Sequence, residues 1–354
     1  MASFERELVK GLSPQLRVTS RYLLFNIAWT FLAGHFTGNW SQVDRFWPLL
    51  PPFYTAIYAL FPLFGNSALK LKIQNVQPRP LLMMFLQFIW SIRLTYYAFR
   101  RGLLSLNEED YRWPVFRKMV PNKAFQIIFN FGFVAFFQNC LLYSLSLPAY
   151  AAASKVSPLQ CGDALLAVLV LLSIAGESIA DNQQWVFQKF KKTKRVNYAE
   201  EWPGSRLGLN AADRGRGFLT KGLWAYSRHP NVACEQLIWL FMSLFPILEN
   251  NNVHNFIDYF LLMLPSLSLC LLIYSSTLFT EKISSSKYPA YRLYQQRVAM
   301  FWPVETWIKT LYLKYIKGEK IRQSVENGIW GGDAGEATVI PDQGKKTLLK
   351  EHSD

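Results

Sequence analysis

The chain has 354 residues, 51% hydrophobic and 16% aromatic, with 38 Lys and Arg against 24 Asp and Glu and a net charge of +14. That charge does not indicate a nucleic-acid-binding domain, because the basic residues fall between apolar segments, where loop-orientation bias accounts for them. Cys140, Cys161, Cys234 and Cys270 form no Cys-x-x-Cys pair, so neither a zinc site nor a disulfide framework is indicated.

Residues 1–20 are a polar N-terminal segment without an apolar core, so no cleaved signal peptide is expected. Apolar stretches then run near 22–38, 47–64, 80–99, 124–147, 162–181, 232–249 and 256–279. Each approaches the roughly 20 residues a bilayer demands, which predicts an all-α, polytopic membrane bundle of about seven transmembrane helices. Pro51-Pro52 and Gly34-His35 interrupt the first two stretches, which leaves re-entrant segments open there.

The basic loops at 100–123 and 182–230 and the tail from Lys282 are separated by even numbers of spans. All three can be cytosolic, which predicts a cytosolic C-terminus. Seven spans then put the N-terminus on the luminal side, where Arg6, Lys10, Lys70, Lys72 and Arg79 run against the same rule.

In the third stretch Arg93, Tyr96, Tyr97 and Arg100 share one helix face. Arg100 fits a snorkelling side chain. Arg93 lies nearly two turns deeper and calls for a protein-lined cavity. In the fifth, Glu177, Asp181, Gln184 and Gln188 stack in one stripe running out of the membrane. Carboxylates and amides in such a stripe suit ribose hydroxyls and a carboxamide, which require both donors and acceptors.

The loop that follows holds Arg214, Arg216 and Lys221 beside Gly215, Gly217 and Gly222, which predicts close backbone approach to a phosphate. No Gly-x-Gly-x-x-Gly follows a strand, so a nucleotide would be held by helices and loops rather than by a Rossmann domain. The loop ends at Arg228-His-Pro-Asn231, and an apolar helix begins at Pro230. Proline is at home in a first helical turn, and a helix N-terminus favours an anion. Arg228 adds a fork of donors, and Glu235 lies one turn inward from Asn231. Next come Tyr288-Pro-Ala-Tyr-Arg292 and Gln295, which suit either an amphipathic surface helix or a lid. From about 315 the sequence turns polar and reads as a flexible tail. The domain reading is therefore 1–20, a membrane domain at 21–305 whose cofactor-binding part is 162–305, and a tail at 306–354.

Five motifs in order, Trp90-x-x-Arg93-Leu-x-Tyr96, Glu109-Asp-Tyr-Arg-Trp113, Asp181 before Gln184, Arg228-His-Pro-Asn231 with Glu235, and Tyr288-Pro-x-Tyr-Arg292, resemble the steroid 5α-reductase C-terminal-like family. The match is to its membrane branch long labelled a domain of unknown function, over roughly residues 40–305. The resemblance implies an oxidoreductase of the endoplasmic reticulum membrane that uses NADPH to reduce an enone-type carbon–carbon double bond in a steroid or other lipid. It implies that Asp181, Asn231, Glu235, Tyr288 and Arg292 hold NADPH, with Arg228 and His229 near its phosphates, and the stripe reading adds Gln184 and Gln188 to the cofactor-binding set. It also implies a phenol and a carboxyl group that polarise the enone oxygen, for which Tyr96 or Tyr97 and Asp44 are the counterparts. No metal and no obligate protein partner are expected.

Two other readings share the Arg-His-Pro helix mouth. One is a membrane methyltransferase that uses S-adenosylmethionine on a lipid or prenylated substrate. The other is a non-catalytic protein with the same fold, since Val232 and Ala233 stand where relatives often carry an aromatic residue and a glycine.

Overall fold

The computed structural model describes residues 11–64, 73–154, 156–195, 202, 205–248 and 256–331. Among these there are helices and no strand. In chain order they are α1 (Pro14–Thr37), α2 (Gln42–Phe46), α3 (Leu50–Leu60), α4 (Pro78–Arg100), α5 (Arg112–Met119), α6 (Lys123–Ala153) and α7 (Cys161–Thr193). There follow α8 (Ala211–Arg216), α9 (Pro230–Leu248), α10 (Phe256–Lys287), α11 (Tyr291–Arg297), α12 (Pro303–Leu311) and α13 (Glu319–Trp330). Five of them, α4, α6, α7, α9 and α10, are long and apolar enough to cross a membrane. The first two expected spans take other forms. Helix α1 has 24 residues but falls outside that set, and α3 with its 3-10 extension to Phe64 is too short. Pro51 and Pro52 do not break α3, because they occupy its first turn, where proline costs no hydrogen bond.

The chain forms two compact units, Met1–Asp181 with Asn231–Leu278 and Asn182–Pro230 with Phe279–Asp354. The core of the first contains Tyr54, Tyr58, Met83, Leu86, Trp90, Leu142, Trp239 and Phe245. The Trp90 and Trp239 rings meet edge to face with centroids 4.9 Å apart. Many large apolar residues on the long helices point outward, among them Phe85, Ile92, Phe99, Leu165, Leu172 and Leu271. Such outward faces are what lipid contact calls for and what water opposes.

Arg79 is not a loop charge. It lies in the first turn of α4, almost fully buried, and its Nε donates to Asp163 Oδ1 at 2.7 Å, with Ser157 Oγ also at 2.7 Å from Nη1. Its conflict with the charge rule therefore disappears. Arg6, Lys10, Lys70 and Lys72 lie outside the described residues.

The second unit has a core of Phe218, Tyr291, Leu293, Tyr294, Val298, Leu313, Val325 and Ile329, with Phe187, Leu207, Leu219 and Trp224 in a companion cluster. Asn210 and Asp213 cap α8 reciprocally, satisfying two of its free N–H groups. The expectation of a flexible tail is corrected over the described residues. Helix α12 continues as a π-helical turn over Tyr312–Lys317, α13 follows, and Val325 and Ile329 of α13 are buried in this core.

Candidate functional site

In the first unit, spacing alone assembles a charged cluster. Glu177 and Asp181 lie four apart on α7, Asn231 and Glu235 lie four apart on α9, and each pair shares a face. Both pairs meet Arg93 of α4. Arg93 Nη1 is 2.8 Å from Asp181 Oδ2, and Nη2 is 2.6 Å from Glu177 Oε2 and 3.5 Å from Glu235 Oε2. Trp90 Nε1 donates to Glu235 Oε2 at 2.8 Å, and Trp239 Nε1 donates to Glu235 Oε1 at 2.9 Å. Asn231 Nδ2 donates to Asp181 Oδ1 at 2.9 Å. Arg93 and Glu177 are buried.

This cluster is unbalanced. One guanidinium faces three carboxylates, and buried charge is costly unless neutralised. It is also incompletely bonded. Asn231 Oδ1 is buried without a hydrogen-bond partner, and the Glu177 Oε2 contact with Arg93 Nη2 is close without forming an aligned hydrogen bond. Buried polar atoms left open in this way call for a further partner. The cluster can therefore accept from donors and stabilise added positive charge.

In the second unit Arg228 departs from the expected phosphate role. Its Nε and Nη2 clasp Glu281 at 2.6 and 3.0 Å, and its Nη1 donates to the carbonyls of Gln295 and Val298. His229 Nε2 lies 3.0 Å from Glu281 Oε1, and Gln295 Nε2 donates to Glu281 Oε2 at 2.9 Å. The backbone is fixed too, with Arg228 N donating to Ala299 O at 2.9 Å and His229 N to Met300 O at 3.0 Å. The anion that this fork attracts is Glu281 of the same chain. Burial pushes the His229 imidazole below its ordinary value, against the opposing pull of Glu281.

Two other phosphate candidates are engaged in the same way. Arg216 bonds Asp213, Thr220 and the Ile329 carbonyl, and Lys221 bonds Asp213 and the Gly208 carbonyl. The glycines do bring the backbone close, but to protein. Gly217 has φ +85 and Gly222 φ +64, and a Cβ on either would collide with Tyr288 or with Gln183. Lys191 Nζ donates to the Gly217 carbonyl at 2.7 Å and to Tyr288 Oη at 2.9 Å. Burial raises the Tyr288 phenol, but the hydrogen bond and charge of Lys191, with Lys287, outweigh this and hold it below its usual value. Arg292 is exposed. Gln184 and Gln188 are half-buried, and Gln184 Oε1 is a further buried acceptor without a partner.

Of the expected catalytic residues, Tyr97 is 4% exposed and donates to the Ser178 carbonyl at 3.0 Å, one turn from Asp181. Tyr96 is 44% exposed and lies with Tyr97 under the Arg100 guanidinium. Asp44 belongs to a different network. Trp113 Nε1 donates to it at 3.3 Å, Arg112 and Asp110 are its charged neighbours, and burial pushes its carboxyl above the usual range. Glu109 and Asp110 of the same motif bond the Trp40 N–H, Arg117 and Arg112, fastening residues 39–45 to 105–117. The structure joins Asp44 to this motif and not to Arg93, so its assignment as partner of the phenol is withdrawn.

Three cluster partners carry no expected role in binding. Glu281 is a lone carboxylate at the end of the last apolar run, and neighbouring residues give no hint of Arg228. Trp239 has a legible signal, an indole four residues after a carboxylate in an apolar helix. Trp90 is present in the first motif as a ring and enters the cluster as a donor.

Among the described residues these features define an all-helical protein with five helices fit to cross a membrane and a charged cluster buried among three of them. The chain belongs to the family described as Protein of unknown function (DUF1295), whose model matches residues 30–298. It is similar to the uncharacterized protein C594.04c of Schizosaccharomyces pombe, 34% identical over 284 residues that cover 80% of this chain and 77% of the relative. No solved structure matches.

Proposed function

We propose that the chain is an integral membrane oxidoreductase, related to the steroid 5α-reductases, that uses NADPH to reduce an enone-type double bond in a sterol or other lipid. The observation that carries this reading is the Arg93 cluster, with its surplus of acceptors and its buried atoms lacking partners. Asn231 Oδ1 offers an open acceptor to the N–H of a carboxamide. The carboxylates of Glu177, Asp181 and Glu235 accept from ribose hydroxyls. The fit is to the nicotinamide riboside portion. Arg228 is withdrawn as a phosphate ligand, since Glu281 occupies it.

When bound, NADPH supplies a hydride. Tyr97, the buried member of the candidate pair, donates its O–H to the substrate carbonyl oxygen in exchange for Ser178 O, stabilising negative charge as it develops there. The apolar walls of α4, α7 and α9 exclude water. The endoplasmic reticulum and a cytosolic C-terminus complete the proposal.

The charge imbalance favours one alternative, an S-adenosylmethionine-dependent methyltransferase, because a sulfonium would offset a surplus carboxylate. Purified full-length protein with a panel of enone sterols and polyprenoids separates the two. NADPH consumption with a saturated product supports reduction. Methyl transfer from labelled S-adenosylmethionine to a lipid, without NADPH consumption, replaces that reading.

A further inference from the structure

The second unit presents an apolar stripe that nothing among its described residues covers. Helix α12 and the π-helical turn after it form a segment, Pro303–Lys317, with two unlike faces. Thr306 and Leu313 point inward. Thr306 Oγ1 donates to the Tyr226 carbonyl at 2.6 Å and accepts from Ala299 N at 2.7 Å, and Leu313 joins the core. The opposite side carries Val304, Trp307, Ile308, Leu311, Tyr315 and Ile316, all exposed, with Trp307 and Ile316 at 71%. Steps of three and four keep these residues on one stripe. For a surface in water, such a run of large apolar side chains is unfavourable.

Charge indicates what covers it. Lys314, Lys317 and Lys320 are exposed beside the stripe. Lys314 lies over the Tyr315 ring and Lys317 over the Tyr312 ring, at 5.1 and 5.9 Å. Aromatic rings flanked by lysine ammonium groups are the pattern of a membrane–water boundary. The segment is too short and too charged to span, and it begins 16 residues after Lys287 closes the last long apolar helix (303 − 287). We infer that Pro303–Lys317 is an interfacial anchor, lying in the plane of an anionic lipid surface with Trp307, Ile308, Leu311 and Ile316 in the acyl boundary and Lys314, Lys317 and Lys320 among the headgroups. This docking is independent of the reaction proposed above.

Spin labelling of the full chain tests the anchor. Nitroxides are placed singly at residues 307, 308, 316 and 320 in a chain whose four native cysteines are replaced by serine. The protein is reconstituted in phosphatidylcholine vesicles with and without phosphatidylserine. Labels at 307, 308 and 316 should be more accessible to oxygen than to an aqueous nickel chelate, with the order reversed at 320. The triple variant K314E/K317E/K320E should shift the three buried labels toward nickel accessibility, more strongly in phosphatidylserine vesicles. Equal nickel accessibility at all four positions overturns the anchor. Dipolar broadening between labels on separate chains at 307 and 308 also overturns it, in favour of a second copy as the occupant.

Discussion

Two arginines, each buried against carboxylates, differ in how completely they are answered. In the second unit Arg228 is matched by Glu281 and two backbone carbonyls, and His229 and Gln295 complete the bonds of Glu281, a nearly closed set in which one cation meets one anion. In the first unit Arg93 faces Glu177, Asp181 and Glu235, and Asn231 Oδ1 in the same cluster lacks a partner. A closed set fixes a conformation and has no capacity left for a ligand. An open one holds a standing deficit that a ligand can remove. By that criterion Arg228 is a pin of the fold, and Arg93 is the centre of a site.

Glu281→Ala should show the largest effect, because it leaves Arg228 buried and unpaired. Such a loss costs about 3–5 kcal/mol, read as a lower melting temperature of the full chain in detergent. The double variant Arg228→Met/Glu281→Leu should recover much of it, and failure to do so would mean that Arg228 matters beyond pairing. Gly217→Ala comes next, at about 1–3 kcal/mol, since it combines an unfavourable φ with a collision against Tyr288.

Acid should also destabilise the second unit. His229 titrates lower in the folded chain than in the unfolded one. The unfolded state therefore binds the proton first, and this contribution is complete above about pH 6.5 and lost as pH falls from there to the folded value. His229→Gln should flatten that part of the melting-temperature profile, and an unchanged profile would contradict the assignment.

The open cluster should behave in the opposite manner. Asn231→Ala should lower stability by only about 1 kcal/mol while abolishing ligand response. The smallest and most telling change is Glu177→Gln. It removes one surplus negative charge and keeps an acceptor toward Arg93, so thermal stability should stay level or rise. A clear loss would place Glu177 in a closed set like that of Arg228.

The contrast also explains what was legible in the sequence. The spanning helices announce themselves as apolar runs, and Arg93 and Glu177 stand out because charge is conspicuous there. Both i, i+4 pairs that build the cluster can be counted from the sequence. The engagement of Arg228 is not legible, because its partner lies 53 residues away and the neighbouring sequence shows only a helix mouth. Gly217 and Gly222 promised close approach, which occurs, but no sequence signal says that Tyr288 and Gln183 fill the space. Asp44 is captured by the Glu109–Trp113 motif, a long-range pairing that spacing does not reveal. The C-terminal helices are hard to read because a polar run after 315 follows the apolar period that begins at Val304.

Ligand-dependent melting of the purified full-length chain tests the Arg93 site most directly. NADPH at about 100 times its dissociation constant should stabilise the fold by about 2.7 kcal/mol. The shift should vanish in Asn231→Ala and persist in the surface variant Gln323→Ala. A shift that survives Asn231→Ala, or no shift with either NADPH or S-adenosylmethionine, would contradict the assignment of Arg93, Asp181, Asn231 and Glu235 as a ligand site.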